Sequence, residues 1–213
     1  YYTMIKTIIF DFDGTIADTY DTGVQILIEL SHEFGYKTPT KEDLASFREH
    51  HTKEIIRALQ VSPLKVPFII HRLKDELNKK ITTIAPISGM RHTLKELKQR
   101  SYSLGIVTSN SERNVKAFLH NNTLELFDFI YTGSSIFGKA SVLNGVIKKQ
   151  ELKKGNVAYI GDELRDIEAA KKIGIAIIAV SWGFNSRGAL LGYTPTAVID
   201  EPKQLLSVIK AFS

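Results

Sequence analysis

Six short β-rich runs in this chain lack any regular polar alternation, and each stops at a polar or small residue. They are Ile5–Phe10 before Asp11, Leu104–Val107 before Thr108, Phe129–Tyr131 before Thr132-Gly133, Val157–Ile160 before Gly161-Asp162, Ile175–Val180 before Ser181, and Ala197–Ile199 before Asp200. A strand with one wet face alternates apolar and polar residues, whereas a strand covered on both faces does not. Helical periodicities lie between the runs. Met90, Leu94 and Leu97 recur at helical spacing, as do Val115, Phe118 and Leu119 after a Ser109…Glu112 capping box. Ile167, Ala170 and Ile173 lead into Gly174, a helix-ending glycine. Strands covered on both faces and alternating with helices predict a doubly wound, Rossmann-like α/β fold with a parallel sheet.

One stretch breaks the alternation. From Asp18 to Pro86 the pattern is helical only: Val24, Leu27, Ile28 and Phe34 share a face, Thr40 caps a helix with Asp43 three residues on, another begins at Thr52, and a fourth begins near Pro67 and runs through Ile70, Leu73 and Leu77. A helical unit is thus inserted after the first strand. The turn-like stretches Gly14–Asp18 and Ile84–Ser88 are its two expected hinges, and Pro86 biases Ala85 away from helix.

Composition narrows the function classes. The 213 residues contain no cysteine, which excludes a disulfide framework, a thiolate zinc site and a thiol nucleophile, and fits a cytoplasmic setting. No apolar run approaches the roughly 18 residues a membrane span needs. The net charge of +5 invites a nucleic-acid reading, but the excess sits largely in Lys148-Lys149, Lys153-Lys154 and Lys171-Lys172, without interleaved aromatics to stack bases. Neither a membrane nor a nucleic-acid partner is expected.

The residues able to do chemistry follow the buried runs: Asp11-Phe12-Asp13-Gly14-Thr15, then Thr108-Ser109-Asn110, then Gly161-Asp162-Glu163-Leu164-Arg165-Asp166, with Lys139 in a loop between the last two. In open α/β sheets, ligands bind where strands end. Clustered carboxylates repel unless a cation neutralises them, and an oxygen-only set without His or Cys suits Mg²⁺. A threonine hydroxyl, backbone N–H groups and a lysine suit a phosphate. A free carboxylate beside a phosphoryl group can attack it, and a second one two residues on can exchange protons with the leaving group. Asp11 and Asp13 address the same space if the strand geometry persists. The reaction these groups point to is Mg²⁺-assisted phosphoryl transfer through an aspartyl-phosphate.

Asp11-Phe12-Asp13-Gly14-Thr15, Thr108, Lys139, and Gly161-Asp162 with Asp166 resemble, in order, the four motifs of the haloacid dehalogenase superfamily, with separations of 95, 31 and 23 residues between Asp13, Thr108, Lys139 and Asp162. The segment Ser181-Trp182-Gly183-Phe184-Asn185-Ser186-Arg187 is similar to that of the phosphoglycolate phosphatase-like group. The resemblance implies an α/β core over residues 4–17 and 87–213 and a small helical cap over 18–86. It implies Asp11 as nucleophile and Mg²⁺ ligand, and Asp13 as general acid/base with its carbonyl on the metal. It implies Thr108 on the phosphoryl oxygens, aided by backbone N–H groups near Ser109 and Asn110, and Lys139 as a neutralising cation. Asp162 would hold Mg²⁺ directly, and Asp166 would hold it through water or orient Lys139. True dehalogenases of the superfamily lack the second aspartate of the first motif, so Asp13 argues for phosphate chemistry. Relatives often carry proline after the motif lysine, where Ala140-Ser141 stands here.

The expected activity is hydrolysis of a small phosphorylated metabolite, with phosphoglycolate the default substrate. A phosphomutase or pyrophosphatase uses the same chemistry. From another class, a phospho-acceptor signalling domain also combines Asp, Thr or Ser, and Lys, but is about half this length and lacks the insertion. Arg48, in the cap, is a candidate to pair with a substrate carboxylate or second phosphate. His50 and His51 are candidate metal ligands or ordinary surface.

Overall fold

The computed structural model describes residues 4–132 and 138–211. Six parallel strands, β1 (Thr7–Phe10), β2 (Ser103–Val107), β3 (Phe129–Tyr131), β4 (Val157–Gly161), β5 (Ala176–Val180) and β6 (Ala197–Ile199), form one sheet in the order β3-β2-β1-β4-β5-β6. Phe10 pairs with Ile106 on one side and Ile160 on the other, so β1 is central. Successive residues serve opposite faces. Ile8, Phe10, Ile106, Ile160 and Ile178 pack into one layer, and Ile9, Val107, Tyr159 and Ile177 into the other. Burial on both faces is why the sequence runs show no alternation.

Helices α5 (Met90–Gln99), α6 (Glu112–Asn121) and α10 (Leu205–Ala211) cover the first face with Leu94, Phe118 and Ile209; α7 (Lys139–Lys149) and α8 (Leu164–Ile173) cover the second with Val146 and Ile167. The short α9 (Arg187–Gly192) adds Leu190 to the second layer. Gly174 ends α8 with φ +73°, as its position predicted.

Two local expectations differ from the structure. The helix expected to be capped by Ser109 with Glu112 begins at Glu112 itself, and its cap is Ser111, whose hydroxyl accepts from the Asn114 N–H at 3.4 Å. The Asn110 carboxamide occupies the intervening turn, accepting from the Ser111 N–H at 2.8 Å and from Asn114 Nδ2 at 3.0 Å, which delays the helix by two residues. Lys139 does not lie in a loop but opens α7, with Ala140 and Ser141 in its first turn. Phe137 and Gly133, which flank this region in the sequence reading, lie outside the described residues.

The inserted unit comprises α1 (Tyr20–Phe34), α2 (Lys41–Phe47), α3 (Thr52–Ala58) and α4 (Val66–Lys80). Thr40 and Asp43 close the expected capping box, with 3.1 and 3.0 Å hydrogen bonds. The two crossings to the sheet run side by side: Ala17 bridges Pro86 in antiparallel fashion, the Asp18 N–H donates to the Ala85 carbonyl at 2.9 Å, and Ile87 donates to Ile16 at 2.9 Å. This paired ribbon occupies the positions read as hinges. Elsewhere the cap is closed on the core. Asn185 Nδ2 donates to the carbonyls of Arg48 (3.0 Å) and His50 (3.2 Å), and His51 Nε2 lies 2.6 Å from the Tyr193 hydroxyl. His51 is therefore engaged in docking, while His50, in the bend after α2, bonds the Ser46 carbonyl of that helix at 2.8 Å.

Candidate active site

The sheet reverses its winding between β1 and β4, and the loops leaving β1, β2 and β4 converge there. Phe12 turns into the core, fully buried and edge-on to Phe118 with ring centres 5.0 Å apart. Its neighbours Asp11 and Asp13 are thereby left on the site side. Gly14 takes φ +72°, and a Cβ there would stand 2.4 Å from Asp162 Oδ2. Only glycine meets both requirements.

Asp11, Asp162 and Asp166 each place a carboxylate oxygen within 4.8 Å of the others. The Lys139 ammonium donates to Asp11 Oδ2 at 2.6 Å and also to Asp166 Oδ1, and it stands 5.3 Å from the centre of the Tyr159 ring. Asp11, Lys139 and Asp166 are all buried. Burial works against the lysine charge, but Asp11 and Asp166 outweigh it and hold the ammonium protonated. Asp166 Oδ2 accepts from the Glu163 N–H at 3.1 Å, anchoring it at the start of α8. Asp162 is fixed by the Thr15 hydroxyl and the Phe184 N–H, both at 2.8 Å. Burial, then Glu163, Asp166 and Asp11, push its pKa well above the ordinary carboxylate range. Burial likewise raises Asp11, against the pull of Lys139. One ammonium faces three buried carboxylates, an imbalance that a divalent cation would correct, and the all-oxygen donor set fits a hard ion.

Asp13 is held differently. Asn110 Nδ2 reaches both of its oxygens, at 3.2 and 3.1 Å, and burial together with the Asp11 charge pushes its pKa up to about 7. A carboxyl poised near neutrality can give up and recover a proton. Thr108 is buried at the end of β2, and its Oγ1 accepts from the Asn110 N–H at 3.0 Å. Ser109, released from capping, lines the cavity beside Asn110.

The structure thus gathers Asp11, Lys139, Asp162 and Asp166 in one cluster, with Asp13, Asn110, Thr108 and Ser109 alongside. Arg48 lies apart: its guanidinium rests 4.8 Å above the Tyr20 ring, and its carbonyl accepts from the Ser186 N–H at 2.8 Å. A cavity of about 300 Å³ extends from Asp13 and Asn110 between cap and core, and most of its wall is apolar cap side chains such as Leu27, Ile56 and Leu73. Two lining cations escaped the sequence reading, Lys74 of α4 and Arg165 of α8. A signal for Lys74 existed, because Ile70, Lys74 and Leu77 are spaced four and three apart, so a charge interrupts an apolar stripe. Arg165 has none, since a basic residue in an exposed first turn would read the same.

A parallel sheet whose strand ends gather these carboxylates and a threonine, with a lysine beside them, fits an enzyme acting on phosphate esters. The chain matches the haloacid dehalogenase-like hydrolase family over residues 8–180, and it belongs to that family. It is 34% identical over 206 residues to the phosphoglycolate phosphatase of Synechococcus elongatus, covering 96% of this chain and 97% of that protein. It is 26% identical over 214 residues to the pyrophosphatase PpaX of Bacillus mycoides, covering 96% and 97%. A haloacid dehalogenase-like family hydrolase from Streptococcus pneumoniae superposes with a TM-score of 0.80 at 25% identity, covering 95% of this chain and 97% of that one.

Proposed function

We propose that the protein is a Mg²⁺-dependent phosphatase that hydrolyses a small phosphorylated metabolite through an aspartyl-phosphate on Asp11, with phosphoglycolate the default substrate. The observation that carries this reading is the pairing of a lysine-bound carboxylate, Asp11, with a separate carboxyl, Asp13, whose pKa lies near 7. The identity to a phosphoglycolate phosphatase supports the substrate, and the identity to a pyrophosphatase keeps pyrophosphate as the second reading.

Asp11, Asp162 and Asp166, with the Asp13 carbonyl, would hold Mg²⁺, which when bound neutralises charge on the carboxylates and on the phosphoryl group. Lys139 holds Asp11 in place and balances its charge. The Thr108 hydroxyl, held by the Asn110 N–H and aided by the Ser109 N–H, orients the phosphoryl oxygens. An Asp11 oxygen attacks phosphorus as the bond to the leaving oxygen breaks, and the Asp13 proton passes to that oxygen. Asp13, now a carboxylate, takes a proton from water as the water oxygen attacks the same phosphorus, releasing orthophosphate and restoring both aspartates. Residues 18–86 act as a cap that pivots on the Ala17–Pro86 ribbon, opening for exchange and closing to exclude bulk water.

The test is phosphate release from a panel of phosphomonoesters and pyrophosphate. Turnover should need Mg²⁺, stop with EDTA and return with added Mg²⁺; metal-independent hydrolysis would sink the reading. Burial raises the pKa of Asp11, Asp13 and Asp162, so the metal-free protein favours their protonated forms, and its stability falls as pH rises from the ordinary carboxylate range through 7. The melting-temperature gain from Mg²⁺ should therefore be larger at pH 8 than at pH 5, and an equal gain would contradict the charge imbalance.

Two variants probe the parts. Asp13→Asn should slow alkyl phosphates by about 100-fold or more, because an alkoxide needs its proton, while p-nitrophenyl phosphate suffers much less. Equal slowing of both would remove the acid role. In Gly183→Ala the new Cβ would sit 2.3 Å from the Asp162 Cβ and Oδ2. Displacing that carboxylate should raise the Mg²⁺ concentration for half-maximal activity by about tenfold or more. An unchanged requirement would argue against Asp162 as a ligand.

A further inference from the structure

The proposed chemistry uses Asp11, Asp13, Thr108, Lys139, Asp162 and Asp166, of which Asp13 and Asp162 line the cavity between cap and core, and leaves two cations of that cavity without a task. Among the described residues that line it, Lys74 and Arg165 are the only positively charged ones, set among apolar side chains and the acids Asp13, Asp162 and Glu163. They come from opposite sides, Lys74 from the cap and Arg165 from the core.

Lys74 is half-buried, and its ammonium donates to the Ser109 carbonyl at 2.9 Å. Among the described residues no carboxylate pairs with it. Burial lowers its pKa, opposed by the Asp13 charge, so its charge is under-compensated where it stands. Arg165 bonds the Glu163 carboxylate through one terminal nitrogen. Its Nε is the one buried side-chain polar atom among the described residues without a hydrogen-bond partner. An unsatisfied buried donor is costly, and a guanidinium edge suits carboxylate and phosphate oxygens. Arg48, the cation singled out in the sequence, is not among the lining residues and rests on Tyr20.

We propose that Lys74 and Arg165 form a second anion subsite that receives a carboxylate or second phosphoryl group of the substrate while its reacting phosphoryl group lies at Asp11. The inference rests on the phosphatase reading above and names the substrate class for that site, a phosphate ester or anhydride with a second anionic group. A second anion entering this cavity has no other cation to meet among its described walls, because the rest of the lining is apolar, polar but uncharged, or acidic. One half of the subsite rides on the cap, so the subsite is complete only when the cap is closed. A substrate carrying the second anion therefore favours closure through its own binding.

The test uses the full-length protein with phosphoglycolate, pyrophosphate and phenyl phosphate, which has no second anion. Lys74→Gln keeps a donor for the Ser109 carbonyl and removes the charge; Arg165→Gln removes the other. Each should lower the ratio of kcat/KM for the two-anion substrates over that for phenyl phosphate by about 10- to 100-fold, through KM more than kcat. Lys74→Arg should restore most of the ratio. The comparison of phosphoglycolate with pyrophosphate tells whether the subsite prefers a carboxylate or a phosphoryl group. An unchanged ratio in both glutamine variants would reduce Lys74 to a strut between cap and core and overturn the subsite. Calorimetric binding of phosphoglycolate and phenyl phosphate to Asp11→Asn, with and without Lys74→Gln, reads the same preference without turnover. Absent turnover with selective binding would sink the phosphatase reading alone. Equal binding losses for both ligands would sink the subsite alone.

Discussion

Replacing Lys139 with methionine is expected to lower the melting temperature of the metal-free protein by about 10 °C at pH 8, the product of about 3–5 kcal/mol for an unpaired buried charge and about 2–4 °C per kcal/mol at this chain length. The Lys139, Asp11 and Asp166 side chains are 5, 5 and 0% exposed, and the ammonium is shared by both carboxylates. Methionine matches much of the volume, so the lost charge, rather than a void, accounts for the effect. Two carboxylates would then face each other without a counter-ion. The loss should shrink toward pH 5, where Asp11 with its raised pKa can protonate, and it should shrink on adding Mg²⁺. Thermal melts at the two pH values, with EDTA or Mg²⁺, check it. An unchanged melt at pH 8 in EDTA would mean that the cluster does not depend on this ion pair.

Asp11→Asn is expected to reduce phosphatase kcat by about 1,000-fold or more while leaving the fold intact. Asparagine is nearly isosteric and can still accept from the Phe12 N–H, which now donates to Asp11 Oδ1 at 2.8 Å. It cannot form the acyl phosphate. The substitution also removes one of the two charges on Lys139, leaving Asp166 as its partner, so stability should change far less than in Lys139→Met. Steady-state kinetics beside a circular dichroism melt separate the two effects. Turnover within about tenfold of the parent would exclude Asp11 as nucleophile.

Much of this architecture was readable from the residues because burial on both faces leaves a plain mark. Val157–Ile160 carries no polar residue, and the structure buries β4 throughout. Asp11 and Asp162 were readable because each lies within two residues of the end of such a run. Local competition hid the rest. Ser109 and Glu112 have capping-box spacing, yet the Asn110 side chain satisfies the turn and moves the cap to Ser111. Lys139 reads as a loop residue because nothing before it signals a helix start; Gly138 caps α7 without a side-chain hydrogen bond. Lys74 leaves a local trace as a charge within an apolar stripe, but its place beside Arg165 arises only when α4 is laid over the strand ends, a long-range contact no local pattern encodes. Arg48 is set by the fold on Tyr20, a wall of the cavity, with its carbonyl bound to the Ser186 N–H, a placement its position in the cap does not encode.

The central claim is covalent transfer to Asp11, and chemical trapping tests it most directly. Enzyme mixed with substrate and Mg²⁺ for milliseconds, quenched in acid and reduced with borohydride, should yield homoserine in place of aspartate at position 11. The Asp11→Asn protein should yield none. Turnover in the parent enzyme with no modification at Asp11, or with the phosphoryl group trapped on another residue, would contradict the account.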